Sequence, residues 1–115
     1  MPTTVYKICG EPLWREAERS GVLPRVGLDL RDGFSHFSSA AQVRETAARH
    51  FAGGADLMLL AVDADALGPA LKWEASRGGD LFPHLHGDLP LAAVRWAKPL
   101  PLGEDRLHLF PELEP

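Results

Sequence analysis

The chain has 115 residues, which is the length of one domain. The residues counted as hydrophobic make up 45% and the charged residues 24%, an ordinary globular composition that excludes wholesale disorder and a coiled coil. No apolar run approaches the roughly 20 residues of a membrane span. A net charge of −4 argues against a protein that holds nucleic acid through a basic face.

The compartment follows from cysteine use and from the first residues. The single cysteine, Cys9, cannot form a disulfide within the chain. The start, MPTTVYKICG, lacks the basic stretch and apolar core of a signal peptide. We therefore expect a cytoplasmic protein without a membrane or nucleic-acid partner, and the oligomeric state stays open. The preference for arginine over lysine and the absence of asparagine indicate a GC-rich, bacterial genome.

The first third of the chain predicts a strand followed by a helix. Residues 3–9 are rich in β-branched and aromatic side chains and predict the first strand. Glu11-Pro12 then suits a helix start, and Gly21 suits its end. Residues 22–32 are expected to be irregular, and residues 33–37 to form a short strand.

A helix is predicted in the middle of the chain. Ser39 and Gln42 fit the capping-box pattern of a helix start. Val43, Ala47 and Phe51 recur at a spacing of four residues, which predicts one buried stripe. Gly-Gly at residues 53–54 is expected to end this helix.

The remaining elements are mostly strands. Residues 56–63 are almost wholly apolar and too short for a full helix, so they predict a central strand buried on both sides. Asp63 is expected to cap one helical turn ending at Leu67. Further strands are predicted at 70–74, 81–87, 91–97 and 106–110, with a frayed tail over 111–115.

Two details of these strands can be checked against the structure. Trp73 is predicted to face the core, as are the other two tryptophans, Trp14 and Trp96. Pro83 is predicted to keep its strand away from the middle of a sheet, because proline lacks the N–H of a central ladder. Strands and helices mix without regular βαβ alternation, so the predicted fold class is α+β, as a single domain over residues 1–115.

The first candidate for chemistry is the segment around His36. This histidine precedes the middle helix, where unpaired backbone N–H groups favour an anion, and Ser38 adds a hydroxyl. The same residues also fit a plain structural role, with His36 packed beside Phe34 and a serine capping the helix. Both interpretations stay open from this segment alone.

The second candidate is Phe-Pro-His-Leu-His-Gly at residues 82–87. In an extended chain His84 and His86 point the same way, a spacing that can hold a metal. Only Asp88 and Glu74 offer further nearby ligands, so we predict no metal site. Two interpretations of His84 and His86 stay open. They are either partly exposed histidines beside a turn with no special role, or residues that face a ligand. Glu74 is either solvated or faces a cleft as a base or as a stabiliser of a cation.

Several segments occur together in a distinctive order and spacing. They are Val5-Tyr6-Lys7-Ile8 with Trp14, residues 32–38 (DGFSHFS), Gln42 and Phe51, residues 56–60 with Asp63, Trp73-Glu74, and residues 82–87 with Leu89. In these segments the chain resembles the small bacterial proteins of domain-of-unknown-function family 952, over nearly its whole length. Two positions depart from the pattern: Ser35 replaces an aliphatic residue, and His86 replaces the usual tyrosine.

The resemblance implies a fold similar to that of the ADP-ribosyltransferases, a split β-sheet body whose cleft holds NAD in active relatives. Lys7 then falls where those enzymes keep a histidine or arginine against the adenosine ribose. Residues 34–38 fall at their aromatic-plus-serine motif. Glu74, or the His84 segment, falls near their third motif, whose acid steadies an oxocarbenium ion.

A related group of RNA 2′-phosphotransferases has the same fold and a His-Leu-Ser-like unit, which His36-Phe37-Ser38 resembles. Those enzymes grip RNA phosphate with several basic residues, and this acidic chain shows no such set.

Two hypotheses about function follow. In the first, the protein is an enzyme, a transferase or glycohydrolase acting on NAD or a related nucleotide, with no required cofactor. In the second, it is a non-catalytic module that binds a small anionic molecule or a protein partner through the same cleft. Convergence of Glu74, His36 and His84 on one pocket, within hydrogen-bonding reach of a ligand, favours the enzyme. Scattering favours the module or a purely structural role. The catalytic candidates are Glu74, His36 and His84, and the ligand-binding candidates are Lys7, Ser38 and His86.

Overall fold

A computed structural model describes residues 3–115, apart from the side chain of Arg77. The predicted domain also includes Met1 and Pro2, which lie outside the described residues. The strands are β1 (Thr4–Gly10), β2 (Val22–Leu23), β3 (Ser35–His36), β4 (Leu57–Asp63), β5 (Leu71–Ala75), β6 (Leu81–Leu85), β7 (Leu89–Pro90) and β8 (Val94–Pro99). The helices are α1 (Glu11–Ser20), α2 (Gly27–Asp32), α3 (Val43–His50) and α4 (Ala64–Leu67). The predicted α+β class is confirmed.

The first sheet has the strand order β1-β4-β8 and is antiparallel. Its central strand β4 is buried from Met58 to Val62, as the apolar run predicts. Alternate residues of β4 serve two cores: Leu60 packs on the side of α1, and Leu59 on the side of α3. In β1, Tyr6 belongs to the α3 side. The sheet therefore lies between two helices, with hydrophobic packing on both faces.

The second sheet has the order β3-β6-β5 and is also antiparallel. It joins the first sheet through a bridge next to β3, in which the Tyr6 N–H donates to the Ser38 carbonyl (2.7 Å) and the Ser38 N–H to the Tyr6 carbonyl (2.9 Å). A separate pair, β2-β7, completes the sheets. The Tyr6–Ser38 bridge holds β1 beside the β3–β6 pair, and the cavity described below lies there.

The position of Pro83 differs from the prediction, because β6 is the middle strand of its sheet. The Pro83 carbonyl accepts a hydrogen bond from the Phe37 N–H (3.0 Å), so the backbone polar groups of Pro83 point toward β3. The N–H and carbonyl of one residue in an antiparallel strand point to the same neighbour. The N–H that proline lacks therefore falls where β3 has already ended at His36, and pairing with β5 does not need it.

The segment at 22–32 is also more ordered than predicted, since it contains β2 and α2. Helix α2 has no buried residue, so it lacks the apolar stripe by which a helix is recognised in a sequence. The strand expected at 91–97 starts later, because Leu91–Ala93 is a 3₁₀ turn that leads into β8. The strand expected at 106–110 is reduced to an isolated bridge between Leu102 and His108.

Helix α3 confirms part of the predicted stripe. Val43 and Ala47 are buried together, whereas Phe51 is only half-buried, so the predicted buried stripe does not extend in full to Phe51. The helix ends at His50, and the backbone of Phe51 has left the helical conformation (φ −128°). The helix also begins later than predicted, at Val43, although the Ser39 N–H donates to Gln42 Oε1 (3.0 Å), as in a capping box.

Trp73 is more exposed than predicted, and the C-terminal tail is more ordered than predicted. Trp73 is 43% exposed, because β5 is an edge strand and the core that reaches Leu71 does not extend to it. Residues 111–115, expected to fray, dock on the first sheet: the Glu114 N–H donates to Tyr6 Oη (2.7 Å).

None of the helices in residues 3–115 combines the length and the apolar character needed to cross a membrane.

Candidate functional site

A cavity of about 620 Å³ opens between β1, α2, the segment that follows β3, and β6. This volume lies within the range of small-molecule sites, roughly 300–1,000 Å³. Aromatic side chains form much of its wall, among them Phe37, Phe51 and Phe82. Polar and charged side chains enter it from several elements, and some of them belong to two hydrogen-bonded clusters.

The first cluster is built around Asp29 of α2. Its Oδ2 lies 2.6 Å from Lys7 Nζ, and its Oδ1 lies 2.6 Å from His36 Nδ1. Lys7 also donates to the His36 carbonyl (3.1 Å), and its side chain is only 8% exposed. Burial raises the pKa of Asp29, but the His36 hydrogen bond and the charge of Lys7 outweigh it, so that the pKa lies below its ordinary value. This buried ion pair ties α2 to the first sheet.

His36 lies between two carboxylates. Its Nδ1 contacts Asp29, and its Nε2 lies 3.1 Å from Asp32 Oδ2. An ionised carboxylate can only accept hydrogen bonds, so both contacts are satisfied together when His36 is the imidazolium, with two N–H donors. In that form His36 places a positive charge at the cavity wall, fixed from both sides.

The second cluster is built around Glu74 of β5. Its Oε1 lies 2.9 Å from His84 Nδ1 and 2.8 Å from His86 Nε2. The hydrogen bond to His86 and then the one to His84 lower the pKa of Glu74 below its ordinary value. Among the described residues, His84 lines the cavity and Glu74 does not. Glu74 therefore reaches the cavity through His84.

Strand register brings these side chains together. His36 and His84 are direct partners across β3 and β6, and Lys72 is the partner of His84 across β5 and β6. Residues directly opposite each other share a face, and so do residues two apart along a strand. Glu74 therefore lies diagonally from His84 on the same face, with His86 beyond.

Phe34 contacts the three histidine rings of this face. Its ring is stacked on His84, with centroids 4.1 Å apart and an interplanar angle of 23°. The centroid distances to His36 and His86 are 4.7 and 5.4 Å. The sequence indicates Phe34 only as a neighbour of His36, because the register that sets it against His84 is not visible there.

Ser38 and Cys9 also lie at the cavity wall, and both are buried. Ser38 Oγ is hydrogen-bonded to Thr46 Oγ1 (2.8 Å), which ties the segment after β3 to α3. Burial raises the pKa of Cys9 to about 11, against the lowering effect of Lys7. The thiol is therefore protonated at neutral pH, which fits the interpretation of Cys9 as a small buried residue rather than a nucleophile.

The expectation that His36 and His84 share a cleft is confirmed, since both line the cavity and their ring centroids are 5.5 Å apart. Lys7 and Ser38 line it as well. Glu74 and His86 stand behind His84. The catalytic and binding roles of these residues stay predictions.

Asp29 and Asp32 are not among the site residues predicted from the sequence, because residues 22–32 were expected to be irregular. Their spacing of three residues would have placed them on one helix face, had a helix been predicted. Asp88, considered beside the histidines, pairs instead with Arg25 Nε (3.0 Å). Within residues 3–115 no group of three or more His, Cys, Asp and Glu side chains is arranged to hold a metal ion. That zinc is not bound stays a prediction.

Residues 8–97 match the family described as "Protein of unknown function (DUF952)". The chain belongs to this family. It is similar to the crystal structure of protein CC0527 from Caulobacter crescentus, with 45% identity over 93% of this chain and 94% of that one and a TM-score of 0.89. The solution NMR structure of CC0527 gives 45% identity over 90% of each chain, with a TM-score of 0.82. No curated protein matches the chain.

The family description assigns no activity, and the similar structures are described without a ligand. The likeness to ADP-ribosyltransferases, expected from the sequence, stays a prediction. Function therefore has to be argued from the cavity itself.

Proposed function

We propose that this protein binds NAD or a related nucleotide in the 620 Å³ cavity and acts on it there. The observation that supports the proposal is convergence: His36, His84, Lys7 and Ser38 come from three separate segments and line one cavity. A pocket with aromatic walls and a few converging polar groups is the usual form of a small-molecule site.

The composition of the wall suits a ligand with aromatic and polar parts. Phe37, Phe51 and Phe82 offer apolar surface to a base or a nicotinamide ring. Lys7 Nζ uses two of its three N–H groups, on Asp29 and on the His36 carbonyl, which leaves one for a ligand oxygen. Together these groups bind a flat ring and orient a polar substituent beside it.

Cleavage of NAD breaks the bond between the ribose C1′ and the nicotinamide nitrogen, and water or another nucleophile adds to C1′. The transition state is a sugar-like cation, so nearby carboxylates stabilise it. Asp29 and Asp32 line the cavity, whereas Glu74 stands behind His84. In this proposal Asp32 takes the electrostatic role that the sequence analysis gave to Glu74, and His84 is the acid–base group.

A second candidate function, binding without catalysis, is favoured by the pairing of charges. Lys7 pairs with Asp29, and Asp32 contacts His36. A cavity whose charges are satisfied within the protein also fits a module that holds a small ligand unchanged.

Thermal unfolding with added ligand tests the proposal. NAD, ADP-ribose, nicotinamide and AMP serve as probes, because a ligand selective for the native state raises Tm as its concentration rises. We expect NAD to raise Tm in the wild type and not in His84→Gln. His108→Gln is the matched control, since His108 binds the Gly54 carbonyl and does not line this cavity. It should keep the full shift.

Release of nicotinamide, followed by chromatography, separates the two functions. Free nicotinamide formed by the wild type and not by His84→Gln supports the enzyme. A shift in Tm without release supports the binding module. If no probe raises Tm at millimolar concentration, the nucleotide proposal is wrong.

A further inference from the structure

We infer that Glu74 and Phe34 are positioning residues, which hold His84 with its proton on Nδ1 and with Nε2 as a hydrogen-bond acceptor facing the cavity. The inference concerns the ligand-free protein. Only its consequence for the ligand rests on the proposed function.

The first step is the contact of Glu74 with two histidines. Glu74 Oε1 lies 2.9 Å from His84 Nδ1 and 2.8 Å from His86 Nε2. An ionised carboxylate accepts hydrogen bonds and donates none, so both nitrogens must carry a proton. The histidine contacts that lower the pKa of Glu74 keep it ionised at neutral pH. Glu74 therefore selects the Nδ1–H form of His84, and His86 holds the same oxygen of Glu74 in place.

The second step concerns the other ring nitrogen. His84 is 4% exposed and lines the cavity, and Nε2 has no hydrogen-bond partner within the described part of the chain. No buried side-chain nitrogen or oxygen atom of the described residues lacks a hydrogen-bond partner, so Nε2 of His84 is accessible to solvent and open to water or a ligand. Since Glu74 lies away from the cavity, the ring edge that carries Nε2 is the edge left for a cavity ligand.

The third step is the orientation of the ring. Phe34 is stacked on one face of His84, at 4.1 Å and 23°, and His36 meets it edge-on, at 5.5 Å and 65°. Aromatic rings at such distances favour defined relative geometries. With its plane set by Phe34 and its Nδ1 held by Glu74, His84 has a single orientation before any ligand arrives. Such outer contacts fix a functional imidazole in other sites too.

The consequence for the ligand is chemical. A neutral Nε2 accepts a hydrogen bond, so the ligand group placed there is a hydroxyl or an amide N–H. A ribose and a carboxamide both carry such donors, whereas a fully ionised phosphate carries none. His84 therefore recognises a donor group of the ligand and is placed to take its proton.

NMR of the ligand-free protein tests the inference. Long-range ¹H–¹⁵N spectra of the imidazole rings at about pH 8, above the ordinary range of histidine, show which nitrogen is protonated. The His84 signals are assigned by their loss in His84→Gln. We expect a protonated Nδ1 and a bare Nε2. A proton on Nε2, or on both nitrogens, would overturn the inference, and this measurement needs no other variant.

Two variants test the positioning residues, with folding checked by backbone amide spectra. Glu74→Ala should shift His84 toward the Nε2–H form, whereas Glu18→Ala, which removes an exposed carboxylate paired with Arg15, should not. Phe34→Leu should move the ring protons of His84 downfield, because the shielding by the stacked phenyl ring is lost. Unchanged His84 signals in both variants would refute the positioning role. Failure of NAD to bind would refute only the proposed function.

Discussion

At the scale of single residues, the buried charge of Lys7 is the feature that most constrains the cavity. Lys7 and Asp29 are both largely buried and 2.6 Å apart, with side-chain exposures of 8% and 13%. Taking two charges out of water costs free energy, which their attraction and extra hydrogen bonds offset. Asp29 also accepts from the His36 backbone N–H (3.2 Å), so one carboxylate holds β1, α2 and β3 together.

Removing the charge of Asp29 should therefore be costly. We expect Asp29→Asn to lower the free energy of unfolding by about 3–5 kcal/mol, because it leaves Lys7 buried without a counter-charge. Urea denaturation measures the change. Asp88→Asn, in the exposed pair with Arg25, is the control and should cost under about 1 kcal/mol. Equal losses in the two variants would contradict this account, and Lys7→Met combined with Asp29→Asn should recover part of the loss.

The same ion pair predicts a pH dependence. The pKa of Asp29 is lower in the folded protein than its ordinary value, which is about 3.9 in an unfolded chain. The unfolded state therefore binds more protons near that pH, and stability falls as the pH falls. We expect the contribution of Asp29 to be complete above about pH 4 and to be lost as the pH drops through its folded pKa. The stability gap between the wild type and Asp29→Asn, followed by denaturation at a series of pH values, should narrow in acid. A constant gap would contradict the assignment.

At the scale of elements, α2 is held by its ends and by one carboxylate rather than by packing. It has six residues, none of them buried, and it supplies Leu28, Asp29 and Asp32 to the cavity wall. Its C-cap is Gly33, whose N–H donates to the Asp29 carbonyl (3.0 Å) with φ at +83°. The geometry of this helix end therefore sets where the two aspartates point.

Gly33→Ala tests the contribution of this cap. A Cβ at residue 33 would meet no atom within 4 Å, so the cost is that of the left-handed backbone alone, about 1–2 kcal/mol. Gly87→Ala is the matched control: it also has open space for a Cβ but lacks a positive φ, and it should be neutral or slightly stabilising. Thermal unfolding of the two variants measures their stabilities. If Gly33→Ala leaves the stability unchanged, the assigned backbone conformation of residue 33 is wrong.

At the scale of the whole molecule, the C-terminal segment packs against the first sheet on the side of α3. Tyr6 Oη donates to the Glu114 carbonyl (2.9 Å) and accepts from the Glu114 N–H, and Trp96 Nε1 donates to Glu114 Oε1 (3.2 Å). Tyr6 is 1% exposed and belongs to β1, which also carries Lys7. Burial raises the pKa of Tyr6, so the phenol stays neutral and able to donate. The tail therefore supports the strand that forms one wall of the cavity.

Deletion of residues 111–115 should destabilise the protein through Tyr6. We expect a loss of about 1–3 kcal/mol from the unpaired phenol, measured by urea denaturation. In a Tyr6→Phe background the same deletion should cost clearly less, because no hydroxyl is left without a partner. An equal cost in both backgrounds would show that the tail acts through its other contacts.

The sequence alone determined the elements whose signals are local. The apolar run of β4 predicts a central strand, Glu11-Pro12 and Gly21 bound α1, and Asp63 caps α4 through the Asp65 N–H. Burial on both faces, a proline in the first turn and a left-handed glycine each correspond to a sequence pattern that spans only a few residues. The histidines of the site were identified in the same way, as residue types beside a helix start and in an extended segment.

Only the tertiary structure decided what these residues meet. Whether Glu74 contacts His84, whether Trp73 is covered, and whether Pro83 fits a central strand all depend on the order and register of β3, β6 and β5. A shift of register by one residue would turn every side chain of a strand to the other face. That register is set by packing between segments far apart in the chain, so no local pattern could have shown that Glu74, His84 and His36 share one face.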